Sequence, residues 1–176
     1  MSELSIFFTA SRGPIEWLIR RVTGGEFSHC GIKIDDEYYE AHAFGESKGF
    51  RGPKPWVKLS SWARLPGNRL EVVYLPEVDY AGVETVRAWC HEEANKRKRG
   101  YSLGNLLQIW ACVRFLGRLG FVPKSDPSRL ICSESAVRAL RQVGIELTSE
   151  EYPTADSIDP NEAYRALMLW KNVGHG

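Results

Sequence analysis

Two short alternating runs separated by an acidic turn constrain this chain more than anything else in it. The first, Phe27-Ser28-His29-Cys30-Gly31-Ile32, reads as a loop entering a strand. The second, Tyr38-Tyr39-Glu40-Ala41-His42, reads as the strand returning beside it, with Asp35-Asp36-Glu37 as the polar turn between them. Alternating runs joined by a short polar link predict a β-hairpin. Side chains along a strand change face at every residue, so Glu40 and His42 share one face while Tyr39 and Ala41 share the other. The hairpin therefore sets a histidine at the start of one strand and a carboxylate on its neighbour. Those two are the base and its orienting acid in a hydrolytic triad, and they require a nucleophile from elsewhere.

The chain has 176 residues, enough for one domain and too few for two comfortable ones. With 43% apolar and 26% charged residues it has the make-up of an ordinary globular protein, so order is expected through all but the extreme C-terminus. A net charge of +1 gives no whole-chain field that would draw nucleic acid or acidic lipid, and no nucleic-acid partner is expected. The first residues carry neither the basic nor the apolar region of a signal peptide, and no apolar run is long enough to span a bilayer; the default expectation is a cytoplasmic protein. The four cysteines, Cys30, Cys90, Cys112 and Cys132, lack the close pairing of a zinc or redox motif and are expected as free thiols. No metal and no organic cofactor are expected.

Hydrophobic periodicity places the other elements. A strand is expected over 4–9, and a helix opening at Gly13-Pro14 with Ile15, Leu18, Ile19 and Val22 on one face and ending at Thr23-Gly24-Gly25. Residues 44–68, rich in glycine and proline and holding Trp56 and Trp62, form the least regular stretch, with a short strand expected over 56–59; a loop this long in a compact domain is usually functional or partly structured. A clearer strand covers 69–75. A helix is expected over 80–97, closing on Lys96-Arg97-Lys98-Arg99; this basic run is either a helix C-terminus favoured by the macrodipole or a phosphate-binding patch. The helix over 103–119 is apolar around most of its circumference, which suits a buried helix or one lying in a membrane interface. A helix over 132–143 puts Ala136, Val137, Leu140 and Val143 inward and ends at Gly144. Asp159-Pro160 caps a last helix running to about 168.

The chemistry concentrates on Cys132. It follows a loop and opens a helix, so unpaired backbone N–H groups and the positive end of the dipole lie beside its sulfur. Both favour the thiolate, which is the nucleophilic form, and the same N–H groups can serve as an oxyanion hole. Position alone leaves a core thiol as an open alternative. Cys90 and Cys112 sit in helical apolar contexts and read as small buried hydrophobes. Cys30 alternates away from His29, toward the other side of the hairpin. His175 in the tail and His91 in a charged helical patch suit solvated roles. His29 precedes Gly31, where a missing side chain would let a helix or substrate approach. Glu40 is placed to accept the imidazole N–H; otherwise it is an outward strand carboxylate. His42 is the second candidate for that third role.

Taken together, His29-Cys30-Gly31-Ile32, then Tyr39-Glu40-Ala41, then Cys132-Ser133-Glu134 resemble the permuted papain-like cysteine hydrolases of the NlpC/P60 superfamily. That group includes the YiiX/YebB-like and lecithin:retinol acyltransferase-like branches. Its permuted members carry the histidine strand first and the cysteine helix last. Gly100-Tyr101-Ser102 ahead of a helix is similar to a further element of the group. The resemblance covers about positions 4–143. Many acyltransferase-like members have histidine as third residue, so Glu40 favours the YiiX-like branch, and residues 44–68 match no motif of the group.

The resemblance implies an α+β fold, a papain-like, circularly permuted NlpC/P60 antiparallel sheet with helices packed on it. It implies one domain over 1–176, a substrate-side insertion at 44–68 and a C-terminal helical extension at 148–176. It implies a cysteine amidase or peptidase in which Cys132, His29 and Glu40 are catalytic and Tyr101, Trp56 and His42 line the substrate. The substrate would be a peptide, a cell-wall fragment or an acyl lipid. Two alternatives remain: a lipid acyltransferase, phospholipase or thioesterase in contact with a membrane surface, and a non-catalytic binding module on the same fold.

Overall fold

The computed structural model describes residues 2–42, 51–54, 69–95, 100–101, 129–130, 132–147 and 158–174. The first strand, β1 (Leu4–Ala10), is buried along its whole length and lies in the interior of the sheet. It pairs antiparallel on one side with β2 (His29–Ile34) and on the other with β5 (Arg69–Tyr74). The hairpin forms as the sequence predicts: β2 pairs antiparallel with β3 (Glu37–His42), with Ile34 opposite Glu37 across the two-residue turn Asp35-Asp36. A short strand, β4 (Arg51–Lys54), adds to β3 and completes the order β4-β3-β2-β1-β5. The strand expected over 56–59 and the helix expected over 103–119 lie outside the described residues.

Among the described residues, four helices complete an α+β architecture. α1 (Pro14–Thr23) follows β1; Pro14 fits its first turn and Gly24, at φ 66°, ends it in the left-handed conformation that glycine adopts without strain. α2 (Tyr80–Asn95) follows β5, and α3 (Cys132–Arg141) packs across β2 and β3. Gly144, at φ 76°, lies just past α3. α4 (Pro160–Gly174) runs one and a half turns beyond its expected end, and is capped by Asp159 Oδ1, which accepts from the backbone N–H groups of Asn161 and Glu162. Glu162 answers by accepting the Asp159 N–H, closing a reciprocal cap. None of the helices among the described residues is long and apolar enough to cross a membrane.

Register assigns the two faces of the sheet. Leu4, Ile6, Phe8, Cys30, Ile32, Ile34, Tyr39 and Val73 enter one core with Val83, Val86 and Cys90 of α2, Ala136, Val137 and Leu140 of α3, and Ala163 and Leu167 of α4. The C-terminal helix is thus part of the core, and Tyr164 stacks on Phe8 and Phe27 at ring distances of 5.1 and 5.0 Å. On β5 it is Val73 that turns inward, while Leu70 and Tyr74 are exposed. Phe7, His29, Gly31, Tyr38 and Glu40 belong to the opposite face, where Phe7 meets Tyr38 edge-on at 5.6 Å.

Two anchors hold the ends of the hairpin. At the turn, Asp35 is held by Glu3, whose N–H donates to its carboxylate, and by Arg87 of α2, which also bonds Glu37 and Glu84. At the entry to β2, the buried Asn161 side chain accepts from Phe27 N–H at 2.7 Å and donates to Phe27 C=O at 2.8 Å and to Thr23 Oγ1 at 3.1 Å. A side-chain amide here completes the backbone of a chain segment 134 residues away. Replacing Asn161 with alanine leaves both Phe27 backbone groups buried and unpaired, which costs about 2–4 kcal/mol. A chemical-denaturation midpoint equal to that of the unaltered protein would refute this role.

Candidate active site

The first residue of α3 and the first residue of β2 meet. Packing α3 across β2 brings Cys132 to the entry of that strand, where its thiol comes under the influence of the His29 imidazole and of Cys30. Behind the ring, His29 Nε2 donates to Glu40 Oε2 at 2.6 Å, a short charge-assisted bond across the hairpin. With Nε2 held by Glu40, Nδ1 is the ring nitrogen left for the sulfur. The structure therefore brings together three of the six residues expected from the sequence, Cys132, His29 and Glu40, in one relay of thiol, imidazole and carboxylate.

Their surroundings keep water away. Cys132 and Glu40 are buried, and the His29 side chain is only 14% exposed. The Phe7 ring flanks the imidazole at 6.2 Å. Gly31 is small for a different reason from the approach of a helix or substrate. A Cβ there would sit 2.6 Å from the Tyr39 carbonyl oxygen and 2.7 Å from the Phe7 ring. Glycine at this position lets Phe7 pack close behind the imidazole.

The charges follow from these contacts. Burial works against an imidazolium at His29, but the facing Cys132 thiolate, its hydrogen bond and Glu40 outweigh burial and carry the pKa up to about 10. The Cys132 thiol is held well below its ordinary value, first by the hydrogen bond from the Cys30 thiol, then by the His29 imidazolium and the Cys30 backbone N–H, against the cost of burial. Cys30 moves the other way: its bond to Cys132, its burial and the charge of nearby Asp159 all hold it protonated. These shifts favour a thiolate at Cys132 facing an imidazolium at His29, with Cys30 kept as the thiol. Cys90, buried in the core, has its thiol pushed up to about 12 by desolvation.

Cys30 is the functional contact that sequence reasoning passed over. Alternation correctly puts it on the face away from His29, but that is the face α3 covers, and Cys132 opens α3. A cysteine directly after the histidine was the available signal. His91 also departs from expectation: its Nε2 lies 3.3 Å from the Tyr39 hydroxyl at the back of the hairpin. Tyr101 lies in β6 (Gly100–Tyr101), which pairs in parallel with β7 (Arg129–Leu130). Tyr101 is opposite Leu130, two residues before Cys132, so its backbone belongs to the strand pair leading into α3. His42 closes β3 with Arg51 as its backbone partner. Trp56 lies outside the described residues. Among the described residues no group of His, Cys, Asp and Glu is arranged to hold a metal ion.

Compared with known proteins, the chain matches no family model, and no curated protein matches it at a significant level.

Iodoacetamide is expected to alkylate Cys132 at pH values well below the ordinary thiol range, while Cys90 stays unlabelled in the folded protein. Cys30→Ala should shift the alkylation midpoint of Cys132 upward, and Cys30→Ser, which keeps an O–H donor, should restore most of it. A midpoint unmoved in Cys30→Ala would show that this hydrogen bond does not hold the thiolate.

Proposed function

We propose that the protein is a cysteine hydrolase, an amidase or peptidase of the permuted NlpC/P60 type, working in the cytoplasm through an acyl-enzyme on Cys132. The observation that carries this reading is the continuous relay from the Cys132 sulfur through His29 to Glu40. A buried thiolate beside an imidazolium is the activated form of a cysteine nucleophile, and an imidazole oriented by a carboxylate is the matching acid and base.

In the proposed reaction the Cys132 thiolate attacks the carbonyl carbon of an amide, forming a C–S bond and an oxyanion. Backbone N–H at the start of α3 stabilises that oxyanion, assisted by the Tyr101 hydroxyl. His29 gives its proton to the departing amine as the C–N bond breaks, leaving a thioester on Cys132. His29 then takes a proton from water, whose oxygen attacks the thioester and releases the acid. Glu40 keeps the ring in the tautomer and orientation both steps require, and stabilises the imidazolium between them. Trp56 and His42 are assigned to the substrate side together with the 44–68 segment, and the substrate class is a peptide or cell-wall fragment.

A second reading, acyl transfer from a lipid at a membrane surface, is favoured by one observation. On α1, Trp17 and Leu18 are exposed beside the exposed Arg21. Aromatic, aliphatic and cationic groups on one short helix suit an anionic interface. Co-sedimentation with vesicles of neutral and anionic lipid separates the readings, because an amidase of soluble peptides stays in the supernatant with both.

A panel of peptide, cell-wall-fragment, ester and thioester substrates tests the reaction class. Turnover should vanish in Cys132→Ala, and Glu40→Gln should lose about 10²–10⁴-fold in kcat. The pH profile of kcat/KM should be bell-shaped. Its acid limb, from protonation of Cys132, falls well below the ordinary thiol value, and its alkaline limb lies near pH 10, where His29 loses the proton it must donate. Turnover of the same substrate by Cys132→Ala would exclude the mechanism.

A further inference from the structure

Acyl transfer gives Cys30 no bond to make or break, yet this thiol is held against the nucleophile. Cys30 is fully buried on the helix-facing side of β2, Cys132 is 5% exposed at the first position of α3, and both are free thiols. Ser133 Oγ donates to Ile158 C=O at 2.6 Å and Asn161 donates to Phe27 C=O at 2.8 Å, so the start of α3 is tied to the entry of β2, and Cys30 is the first influence on the Cys132 thiol. The two residues stand on separate elements, 102 positions apart by their numbers, and α3 packing on β2 fixes them together. Burial as a small hydrophobe, the usual role of a core cysteine, does not require that pairing.

The two thiols are also unequal in the way a two-step oxidation needs. Cys132 faces the imidazolium and is the thiolate, the form that attacks peroxide. Cys30 is fully buried and keeps its proton. We propose that Cys30 is the resolving thiol of a redox modification site, converting a peroxide-oxidised Cys132 into an intramolecular Cys30–Cys132 disulfide. The oxidant is hydrogen peroxide or a small organic hydroperoxide.

The chemistry balances in two steps. The Cys132 thiolate attacks a peroxide oxygen; an S–O bond forms and the O–O bond breaks. The departing hydroxide takes a proton from the His29 imidazolium and leaves as water, so the sulfur is oxidised by two electrons and the peroxide reduced. The Cys30 sulfur then attacks the sulfenic sulfur of Cys132. An S–S bond forms, the S–O bond breaks, and the hydroxyl group leaves with the Cys30 proton as a second water. Two thiols and one peroxide give one disulfide and two waters. Because both sulfurs are held in place, the second step is intramolecular and competes well with further oxidation of Cys132. A dithiol reductant reverses it by exchange. The modification would silence Cys132 and protect it from irreversible oxidation.

The proposal rests on the reading of Cys132 as the thiolate but not on any substrate. Its test therefore reads mass and not turnover. The full-length protein is treated with hydrogen peroxide, quenched with N-ethylmaleimide, unfolded and mapped by mass spectrometry. Apart from the maleimide added to the remaining thiols, the expected product is lighter by about 2 Da than the reduced chain, carries a Cys30–Cys132 cross-linked peptide, and regains that difference with dithiothreitol. In Cys30→Ser the cross-link should be absent and Cys132 should gain about 32 or 48 Da as sulfinic or sulfonic acid, which the reductant does not reverse. The unaltered chain decides the question even if that variant folds poorly. Sulfinic acid on Cys132 with Cys30 still a free thiol, a disulfide joining either residue to another cysteine, or no oxidation of Cys132 at all would each overturn the proposal. Oxidation as expected without hydrolysis of any tested substrate would leave the proposal standing and count against the hydrolase alone.

Discussion

An ionised group that water scarcely reaches must find its compensating charge within the protein, and the site is built on that requirement. His29 sits between a thiolate and a carboxylate, so its imidazolium is compensated from both sides. With either neighbour removed, the imidazolium keeps one anionic partner instead of two and its charged form is held less firmly. The arrangement of strands and helices can be understood as what it takes to bring those three groups, from distant parts of the chain, to one point.

The sheet supplies two of them and the helix supplies the third. β1 is the rigid element, buried throughout and paired on both edges, and it fixes the level of β2 through an unbroken ladder. The hairpin then fixes Glu40 relative to His29, because pairing of β2 with β3 leaves no freedom of register once Tyr39 is committed to the core. α3 fills the other side with Ala136, Val137 and Leu140, and its N-terminus is carried to the start of β2 as a result of that packing. Core and chemistry share one interface: the face of α3 that buries apolar surface also decides where the thiol goes.

Period-two alternation made the hairpin and the shared face of Glu40 legible in the sequence, because a strand with one face in the core has little choice of phase. Gly24, Gly144 and Asp159-Pro160 announced helix ends through backbone chemistry that few other residues allow. What stayed hidden depends on tertiary placement. Cys30 was read as pointing away, which is true of the strand and silent about what covers it. Asn161 looked like the first turn of a terminal helix, and nothing in its neighbourhood announced a partner 134 residues earlier. The apolar set on β5 was easy to find but gave no clue to its orientation, since both faces of that strand carry hydrophobic side chains. Permutation of the fold, the family and the substrate remain proposals, because short motifs carry order and spacing but not the packing between them.

The clasp between Asn161 and Phe27 has a consequence for how the protein comes into being. A ribosome delivers β1, the hairpin and even the helix that opens with Cys132 before it delivers residue 161, so during synthesis the strand bearing His29 lacks the amide that secures its entry. The relay reaches its final geometry only when the last helix docks. A nascent chain thus carries Cys132 before the strand bearing His29 is fully seated, and completion of the relay is timed by the emergence of residue 161.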